Sequence, residues 1–412
     1  MNSRNIMLFK RVRLVIQPIN STDLAVSYYN RTALLRIYRI ATSTFFFIAG
    51  FTFATWASRI PEIQGKLHLT DGGLGAVLFA LPVGLMVSLP LSGWLVSRYG
   101  SRQMVILGAL VYPLILLFLA LSSSVLQLTI ALFIFGITDN LLNIAMNTQA
   151  VGVETLYGRS VMASFHGLWS IGGFSGAIVG TFFISSGISP LIHFLVICII
   201  TGILVLAANK FTLPHDEGKR QAQPIWIKPD QKILLLGLIA FCCMVCEGAM
   251  VDWSGVYFKK IVQAPVSYIT IGYVAFTGTM ALGRFLGDGL VTRFGIKRIL
   301  QMSGAVISTG LLIAIIFPYL VTATVGFFLV GFGVSSVVPI VYGLAGKSTT
   351  MSASTALAAV STIGFLGFLI GPPVIGFIAQ AVNLRWSFTL IALLGFGTTL
   401  LAGKLKKNNI IQ

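Results

Sequence analysis

Charged residues are scarce in this sequence. Only 9% of the 412 residues are Asp, Glu, Lys or Arg, and 56% are hydrophobic, whereas soluble domains carry about 25% charged residues. Residues 160–209 and 299–346 contain no acidic side chain, no lysine and no arginine. A soluble core cannot absorb so much apolar surface in uninterrupted blocks. The composition therefore excludes a soluble domain and indicates a membrane protein.

Cysteine and histidine are also rare, with four of each. All four cysteines fall in apolar segments, and the CxxC-like pattern CCMVC at 242–246 is more typical of apolar filling in a membrane helix than of redox or metal chemistry. The histidines form no HExxH motif, and no nucleophile motif accompanies them. We therefore expect no metal site, no cofactor and no enzymatic activity. The least favoured class is a membrane-embedded enzyme or a membrane sensor that moves no solute.

The apolar blocks divide into twelve membrane-spanning helices. A bilayer core of about 30 Å takes roughly 20 apolar residues per helix, and turn residues mark where the blocks end. The expected fold is an all-α polytopic membrane protein. The predicted spans are 40–58, 72–97, 103–122, 125–150, 160–186, 190–209, 233–258, 267–292, 299–319, 321–346, 352–380 and 386–403.

Positive charge is distributed unevenly over the connections. The net charge is +17, and the twelve spans place 22 of the 28 Lys and Arg on the face that holds both termini, 5 on the opposite face and Arg284 within a span. This asymmetry is a positive-inside signal rather than a sign of nucleic-acid binding. We expect a bacterial cytoplasmic (inner) membrane protein with both termini in the cytoplasm and no nucleic-acid partner.

The N-terminal segment 1–39 does not resemble a cleaved signal peptide. The longest apolar run in this segment, LVIQPI, is short and is interrupted by Gln17 and Pro18. The segment is predicted to be a basic cytoplasmic extension. Contact with anionic lipid is one hypothesis for its role, and a disordered extension or an upstream choice of start codon is the favoured one.

Two short basic turns, LVSRYG at 95–100 and LVTRFG at 290–295, repeat at an offset of 195 in residue number. Six spans separate them, so both turns emerge on one face and the halves are parallel repeats. The polar segment between the halves is predicted to be a linker. The predicted organisation is a cytoplasmic extension at 1–39, six-helix bundles at 40–210 and 233–403, a cytoplasmic linker at 211–232 and a cytoplasmic tail at 404–412.

The first turn lies within GWLVSRYGSR, residues 93–102. This segment resembles the signature G-x-L-x-D-R-x-G-R-R that the major facilitator superfamily carries between its second and third spans. Ser97 stands where the family has Asp, and Thr292 stands there in the second half. More narrowly, WASRIPEI, MNTQAVGVE, HGLWSIGG and EGAMVDWS resemble the fucose-permease-like and rhizopine-transporter-like branch. The resemblance implies the major facilitator fold and alternating-access secondary transport, commonly coupled to protons.

The two turns also predict a cytoplasmic gate. Their arginines can bond helix-end carbonyls or neighbouring acids, or can serve topology alone. Because Ser97 and Thr292 cannot supply the family's carboxylate, Asp288 is the expected acidic partner, and Arg284 one helical turn earlier can pair with it. The predicted gate residues are Arg98, Gly100, Arg102, Arg284, Asp288, Arg293, Gly295 and Arg298.

Polar residues within spans are costly and commonly face a cavity. Asp139 lies about 14 residues, or roughly 21 Å, into the fourth span, Asn143 and Asn147 follow it at helical spacing, and Asn140 is adjacent. This stripe predicts a cavity lining, with an interhelical hydrogen-bond seam as the alternative. Glu247 lies equally deep in an apolar stretch of the seventh span. It is a candidate for proton coupling or substrate contact, with helix anchoring as the alternative.

Further candidates lie on the fifth and seventh spans. His166, with Trp169 close to one turn later, can contact a hydroxylated solute or relay a proton, although a structural histidine is equally expected. Asp252 is open between coupling and helix anchoring. Stacking on a sugar-like ring and anchoring at the membrane interface are the two hypotheses for the aromatic candidates. These are Trp56, Trp253 and Tyr342.

The leading hypothesis is uptake of a small polar solute, such as a sugar, a polyol or a related compound, by a monomeric proton-coupled symporter. Its partners would be the solute, the proton and the lipid bilayer. Proton-driven export of drugs or metabolites is the alternative.

Overall fold

The computed structural model describes residues 21–158, 161–214 and 230–405. Within them, twelve helical segments are long and apolar enough to cross a membrane, as the sequence predicts. Twelve crossings bring the start of the first span and Leu405 to the same face, which we call the terminal face, and the opposite side is the distal face. Most of the basic extension, the centre of the linker and the tail after Leu405 lie outside the described residues.

Ten spans are single helices, and the second and tenth are each interrupted once. The single helices are Ser21–Lys66 (first), Ser101–Leu121 (third), Val125–Tyr157 (fourth), Met162–Ser185 (fifth), Pro190–Asn209 (sixth), Gln231–Lys260 (seventh), Ile271–Phe294 (eighth), Ile296–Ile316 (ninth), Ala353–Ala381 (eleventh) and Leu384–Gly403 (twelfth). The second span consists of Asp71–Leu78 and Ala80–Tyr99, and the tenth of Leu320–Val334 and Val337–Gly346. A 3-10 turn, Val266–Tyr268, precedes the eighth.

The first span continues to Lys66, whereas the sequence predicts an end near residue 58. The side chain of Arg59 is only 1% exposed. Its Nε donates to Nδ1 of His193 at 3.1 Å, its Nη2 donates to the carbonyl oxygen of Ile188 at 2.7 Å, and Nη1 pairs with Glu62. Because these partners satisfy the guanidinium inside the protein, the charge does not end the helix there.

The two basic turns have nearly identical backbone geometry. Gly100 has φ 85° and Gly295 has φ 82°, values that strain any residue with a side chain. The N–H of Gly100 donates to the carbonyl of Val96 at 2.9 Å, and that of Gly295 donates to Val291 at 2.8 Å. Both turns therefore reverse the chain in the same way, at equivalent positions of the repeat.

Helix packing is duplicated between the first six and the last six spans. The first span packs on the fifth as the seventh does on the eleventh, and the second packs on the fourth as the eighth does on the tenth. A Cβ at Gly136 would collide with the carbonyl oxygen of Leu81, and one at Gly331 would collide with that of Phe276. Gly136 and Gly331 are 195 positions apart, and so are Leu81 and Phe276, which is the same offset as that of the basic turns. The chain therefore has two six-helix halves and the major facilitator fold.

The halves meet through the second and eleventh, the fifth and eighth, and the first and seventh spans. At the distal face, Lys260 Nζ lies 2.5 Å from Asp71 Oδ1. Gln380 Oε1 accepts from the N–H of Gly72 at 3.0 Å. The hydroxyls of Thr181 and Thr270 lie 2.7 Å apart. We call these six residues the distal seam, and it holds the halves together at that face.

Candidate functional site

Arg284 of the eighth span lies among polar groups contributed by both halves. Its Nη2 is 3.7 Å from Glu247 Oε1 on the seventh span. Its Nη1 donates to Ser170 Oγ on the fifth span at 2.5 Å. The guanidinium carbon also lies 5.7 Å from the ring centre of Trp169. One guanidinium thus joins an acid of the second half to a hydroxyl and an indole of the first.

This cluster is buried at one end and open at the other. Glu247 and Ser170 are buried, Arg284 and Trp169 are partly exposed, and His166 is exposed. Ser170 Oγ donates to the backbone carbonyl of His166 at 3.1 Å, which orients the hydroxyl toward the guanidinium. We call these five residues the central cluster. It offers a titratable acid, a fixed cation and hydrogen-bonding groups in a position that a solute can reach.

The position of Arg284 differs from the gate role that the sequence suggests. Arg284 precedes Gly295 by eleven residues, which is about 16 Å along a helix. Its guanidinium contacts the central cluster instead of the turn. The side chain of Asp288 lies outside the described residues, so the pairing of Asp288 with Arg284 stays a prediction. We assign Arg284 to the central cluster.

The polar stripe on the fourth span divides into two parts. Asn140 is 3% exposed, and its Nδ2 donates to the hydroxyls of Ser88 and Ser92 on the second span at 3.0 and 3.1 Å. Asn143 is exposed, and Asn147 Nδ2 donates to its side-chain oxygen at 3.1 Å. Asn140 is therefore part of an interhelical seam, whereas Asn143 is exposed and Asn147 is partly exposed.

Asp139 and Asp252 are both partly exposed and lie apart from the guanidinium. Asp139 faces the hydroxyl of Tyr112 on the third span. Asp252 lies within electrostatic range of Tyr273, which is also in range of Glu247. Within the described residues neither aspartate forms an ion pair with Lys or Arg. Tyr273 is therefore within electrostatic range of both acids of the seventh span, Glu247 and Asp252.

The aromatic candidates differ in their access to solvent. Trp56 is 1% exposed and Trp253 is fully buried, and neither indole N–H has an acceptor among the described residues. Tyr342 is partly exposed, beside Ser361 and in electrostatic range of Glu247. In this conformation, packed neighbouring helices enclose both tryptophans, so Tyr342 and Trp169 are the aromatic groups available to a solute.

At the terminal face, equivalent cations bind equivalent helix ends. Arg102 Nη2 donates to the carbonyl of Asn209, the last residue of the sixth span, at 3.3 Å. Lys297 occupies the equivalent position of the second half, and it donates to the carbonyl of Gly403, the last residue of the twelfth span, at 2.6 Å. Each cation stabilises the C-terminal end of a helix in its own half.

The remaining gate arginines are exposed. Arg98 lies 5.8 Å from the ring centre of Trp94, and Arg293 lies 5.3 Å from that of Phe294. Arg298 is exposed as well. In the part of the chain that the structure describes, these three arginines show no contact with the other half. The contacts between the halves that the described residues show at their outer ends lie at the distal face, and the terminal gate stays a prediction.

Sequence reasoning did not single out Lys297 or the distal seam. The offset of the repeat leads from Arg102 to Lys297, so the repeat itself contains that signal. The seam has no comparable signal, because Asp71 and Lys260 come from different halves and from unrelated positions of the repeat.

Comparison with known proteins agrees with this architecture. The model of the Major Facilitator Superfamily matches residues 41–355. An uncharacterised MFS-type transporter of Yersinia pestis is 37% identical over 356 residues, which is 86% of this chain and 92% of that protein. Membrane protein MosC of Rhizobium meliloti is 32% identical over 356 residues, covering 85% of this chain and 86% of that protein.

Among solved structures, that of a D-xylose-proton symporter superposes with a TM-score of 0.70 at 13% identity, covering 90% of this chain and 97% of the symporter. The matched family model spans both halves, and the relatives align over most of their own length. The chain belongs to the Major Facilitator Superfamily, and it is a multi-pass membrane transporter of that family.

Proposed function

We propose that the protein is a proton-coupled symporter of a small polar solute, such as a sugar, a polyol or a related compound. It acts as a monomer in the bacterial cytoplasmic membrane, with its terminal face in the cytoplasm. The 22 to 5 division of Lys and Arg supports this orientation. The D-xylose-proton symporter has the same fold, so this architecture is compatible with coupled sugar uptake.

The observation that carries the proposal is the contact of Arg284 with Glu247 and Ser170. Protonation of Glu247 neutralises its carboxylate and removes the Coulomb attraction that holds the guanidinium in the second half. Arg284 then depends on Ser170, which belongs to the first half, and on bound solute. Glu247 and Ser170 lie in different halves, and both contact Arg284. A change in the charge of Glu247 therefore changes the contact that Arg284 makes between the halves.

The accessible members of the central cluster, together with Asn143 and Asn147 of the fourth span, supply the solute contacts in this proposal. His166 can donate or accept a hydrogen bond, and Asn143 and Asn147 can do both through their amides. Trp169 offers an apolar face within the central cluster. Such a mixture of one aromatic surface and several neutral hydrogen-bonding groups suits a hydroxylated ring.

The test is gradient-driven uptake by the Glu247→Gln variant. Solutes are first selected by a thermal-shift screen of sugars, polyols and amines at two pH values. Uptake of a selected solute is then measured in proteoliposomes with an acidic exterior. We expect Glu247→Gln to lose accumulation against a gradient but to retain exchange of solute across the membrane, because a neutral amide cannot carry the proton.

The matched variant is Asp139→Asn, which removes a second acid from the first half. Loss of coupling in this variant as well would extend the proton pathway to Asp139. Full gradient-driven accumulation by both variants would contradict the proposal.

Export in exchange for protons is the second candidate. Phe285 is 58% exposed and lies against Gly167, next to His166 of the same cluster. This exposed ring suits a more apolar substrate. Entry of such a substrate into inverted vesicles under an interior-acid gradient would favour export over uptake.

A further inference from the structure

A groove lies where the first span meets the fourth, fifth and sixth near the terminal face. It has a volume of about 570 Å³ and is open along one side. The first helix supplies one wall, from Arg36 to Phe47, and Leu168 and Leu204 contribute to the opposite wall. Ile40, within this wall, is 67% exposed. An apolar side chain so exposed on a membrane span indicates that the groove opens toward lipid.

The end of the groove nearest the terminal face is cationic. Arg36 is exposed and has no partner among the described residues. Arg39 Nη2 donates to Ser164 Oγ at 3.1 Å, and its guanidinium lies 5.8 Å from the ring centre of Tyr157. The lining includes these two arginines and no acidic side chain. The acid nearest in sequence to Tyr157 is Glu154, whose Oε2 accepts from backbone N–H groups at 2.8 and 2.9 Å. Among the described residues, no carboxylate lines the cationic end of the groove.

The other end of the groove is apolar. Phe47 follows Arg36 by eleven residues, which is about 16 Å along a helix and about half of a 30 Å bilayer core. Leu168 follows Ser164 by about one helical turn, and Leu204 precedes the end of the sixth span at Asn209, so both lie deeper in the membrane than the end of the groove at Arg39 and Ser164. The groove thus matches the depth of one leaflet, with its cations at headgroup level and its apolar walls at the level of the acyl chains.

We propose that this groove binds one anionic phospholipid, with its phosphate against Arg36 and Arg39 and an acyl chain along Phe47, Leu168 and Leu204. The phosphate of an anionic lipid pairs with the cationic end of the groove while its acyl chain covers the apolar end. A free anion leaves the apolar end empty, and a zwitterionic lipid brings its own ammonium to the cationic end. A basic residue near the surface of an anionic membrane favours binding about fivefold. The site is separate from the central cluster, so it stands whatever solute is transported.

The test is thermal unfolding of the purified full chain in an uncharged detergent. The probes are dioctanoyl-phosphatidylglycerol, dioctanoyl-phosphatidylcholine and glycerol 3-phosphate. We expect the unfolding midpoint to rise only with phosphatidylglycerol. Arg36→Gln removes an exposed side chain without a partner among the described residues and should weaken the apparent affinity about fivefold. Arg36→Gln/Arg39→Gln should weaken it further. Lys404→Gln, at an exposed cation on the same face of the other half, should leave it unchanged.

A second variant keeps both arginines and fills the apolar end. Leu168→Trp should weaken the response to phosphatidylglycerol, whereas an anion site would be unaffected by it. Equal stabilisation by phosphatidylcholine would overturn the proposal, because it would show general lipid solvation. Equal stabilisation by glycerol 3-phosphate would overturn it in favour of a simple anion site. An undiminished response of Arg36→Gln/Arg39→Gln would overturn it as well.

Discussion

Several partners stabilise the cationic side chain of Arg284 within a membrane-spanning helix. The guanidinium has five N–H donors in a plane, which lets it bond Ser170, approach Glu247 and lie near Trp169 at the same time. A lysine at this position would present a compact charge that cannot make all three contacts. The cluster therefore depends on the shape of arginine as well as on its charge.

Removal of one charge from this pair should cost more than removal of both. Arg284→Gln leaves the buried carboxylate of Glu247 without a cation, and we expect a loss of about 2 kcal/mol in unfolding free energy, below the value for a fully buried pair because Arg284 is partly exposed. The double variant Glu247→Gln/Arg284→Gln should recover part of that loss. Unfolding midpoints of the four proteins at pH 8 measure the coupling. Strict additivity would show that the two side chains do not interact.

At the scale of single residues, sequence reasoning identifies the ionisable side chains within spans but not the groups that they contact. Glu247 and Arg284 are identifiable because an ionisable residue in an apolar span is rare. The predicted partner of Arg284 was Asp288, since helical spacing is the only proximity that a sequence displays directly. The contact with Glu247 and Ser170 arises from packing of three helices, which one sequence does not reveal.

At the scale of helices, Asp230 illustrates how an end is stabilised. Its Oδ1 accepts from the N–H of Ile233 at 2.7 Å at the start of the seventh span, and its Oδ2 accepts from the hydroxyl of Thr350. Burial alone would raise the pKa of Asp230, but these hydrogen bonds outweigh it and hold the pKa below its ordinary value. A carboxylate with a lowered pKa adds stability above its unfolded pKa, and that stability is lost as the pH falls through the folded pKa.

Asp230→Ala should therefore lower the free energy of unfolding by about 1 kcal/mol at pH 7. The difference from wild type should shrink as the pH falls below the ordinary aspartate pKa, about 3.9. Unfolding midpoints measured between pH 7 and pH 3 test this. The matched control is Ser352→Ala, which removes an uncharged cap from the eleventh span and should cost a similar amount at every pH. A pH-independent cost for Asp230→Ala would contradict the assignment.

Helix existence follows from the sequence more readily than helix shape. All twelve spans were predictable because a bilayer demands long apolar segments. Two of the spans are interrupted, at Phe79 and at Ser335–Ser336. The interruptions lie shortly before Pro82 and Pro339, where each following segment has its proline in the first turn, a position that proline tolerates. Those prolines mark bends, whereas hydropathy alone identifies each span as one continuous helix.

For the whole molecule, the distal seam should open during every transport cycle. The hydroxyls of Thr181 and Thr270 are 2.7 Å apart across the halves, so Thr181→Cys/Thr270→Cys should form a disulfide on oxidation. We expect the disulfide to stop transport and a reductant to restore it. Each single-cysteine variant and the oxidised wild-type protein serve as controls. Transport at the wild-type rate by the cross-linked protein would show that the seam is static.

The sequence predicts the duplication and the sidedness of the molecule but not which face is closed. The repeated turn indicates the register of the halves, and the uneven distribution of Lys and Arg predicts their orientation. The closed face depends on contacts such as Asp71 with Lys260, which join unrelated positions of the repeat. Two conformations of one chain share every local pattern, so local patterns cannot distinguish them.

The cap that Gln380 places on Gly72 has an energetic consequence. When the halves separate, water can occupy the N–H that the glutamine amide leaves, so the number of hydrogen bonds is conserved. Such a bond contributes about 1 kcal/mol net, and a partly exposed ion pair such as Asp71 with Lys260 contributes at most about 1 kcal/mol. One charge crossing 100 mV releases about 2.3 kcal/mol. With the hydrogen bond between Thr181 and Thr270 added, the polar contacts of the distal seam amount to about 3 kcal/mol. This is of the same order as the energy of the one charge that crosses the membrane in the proposed proton coupling.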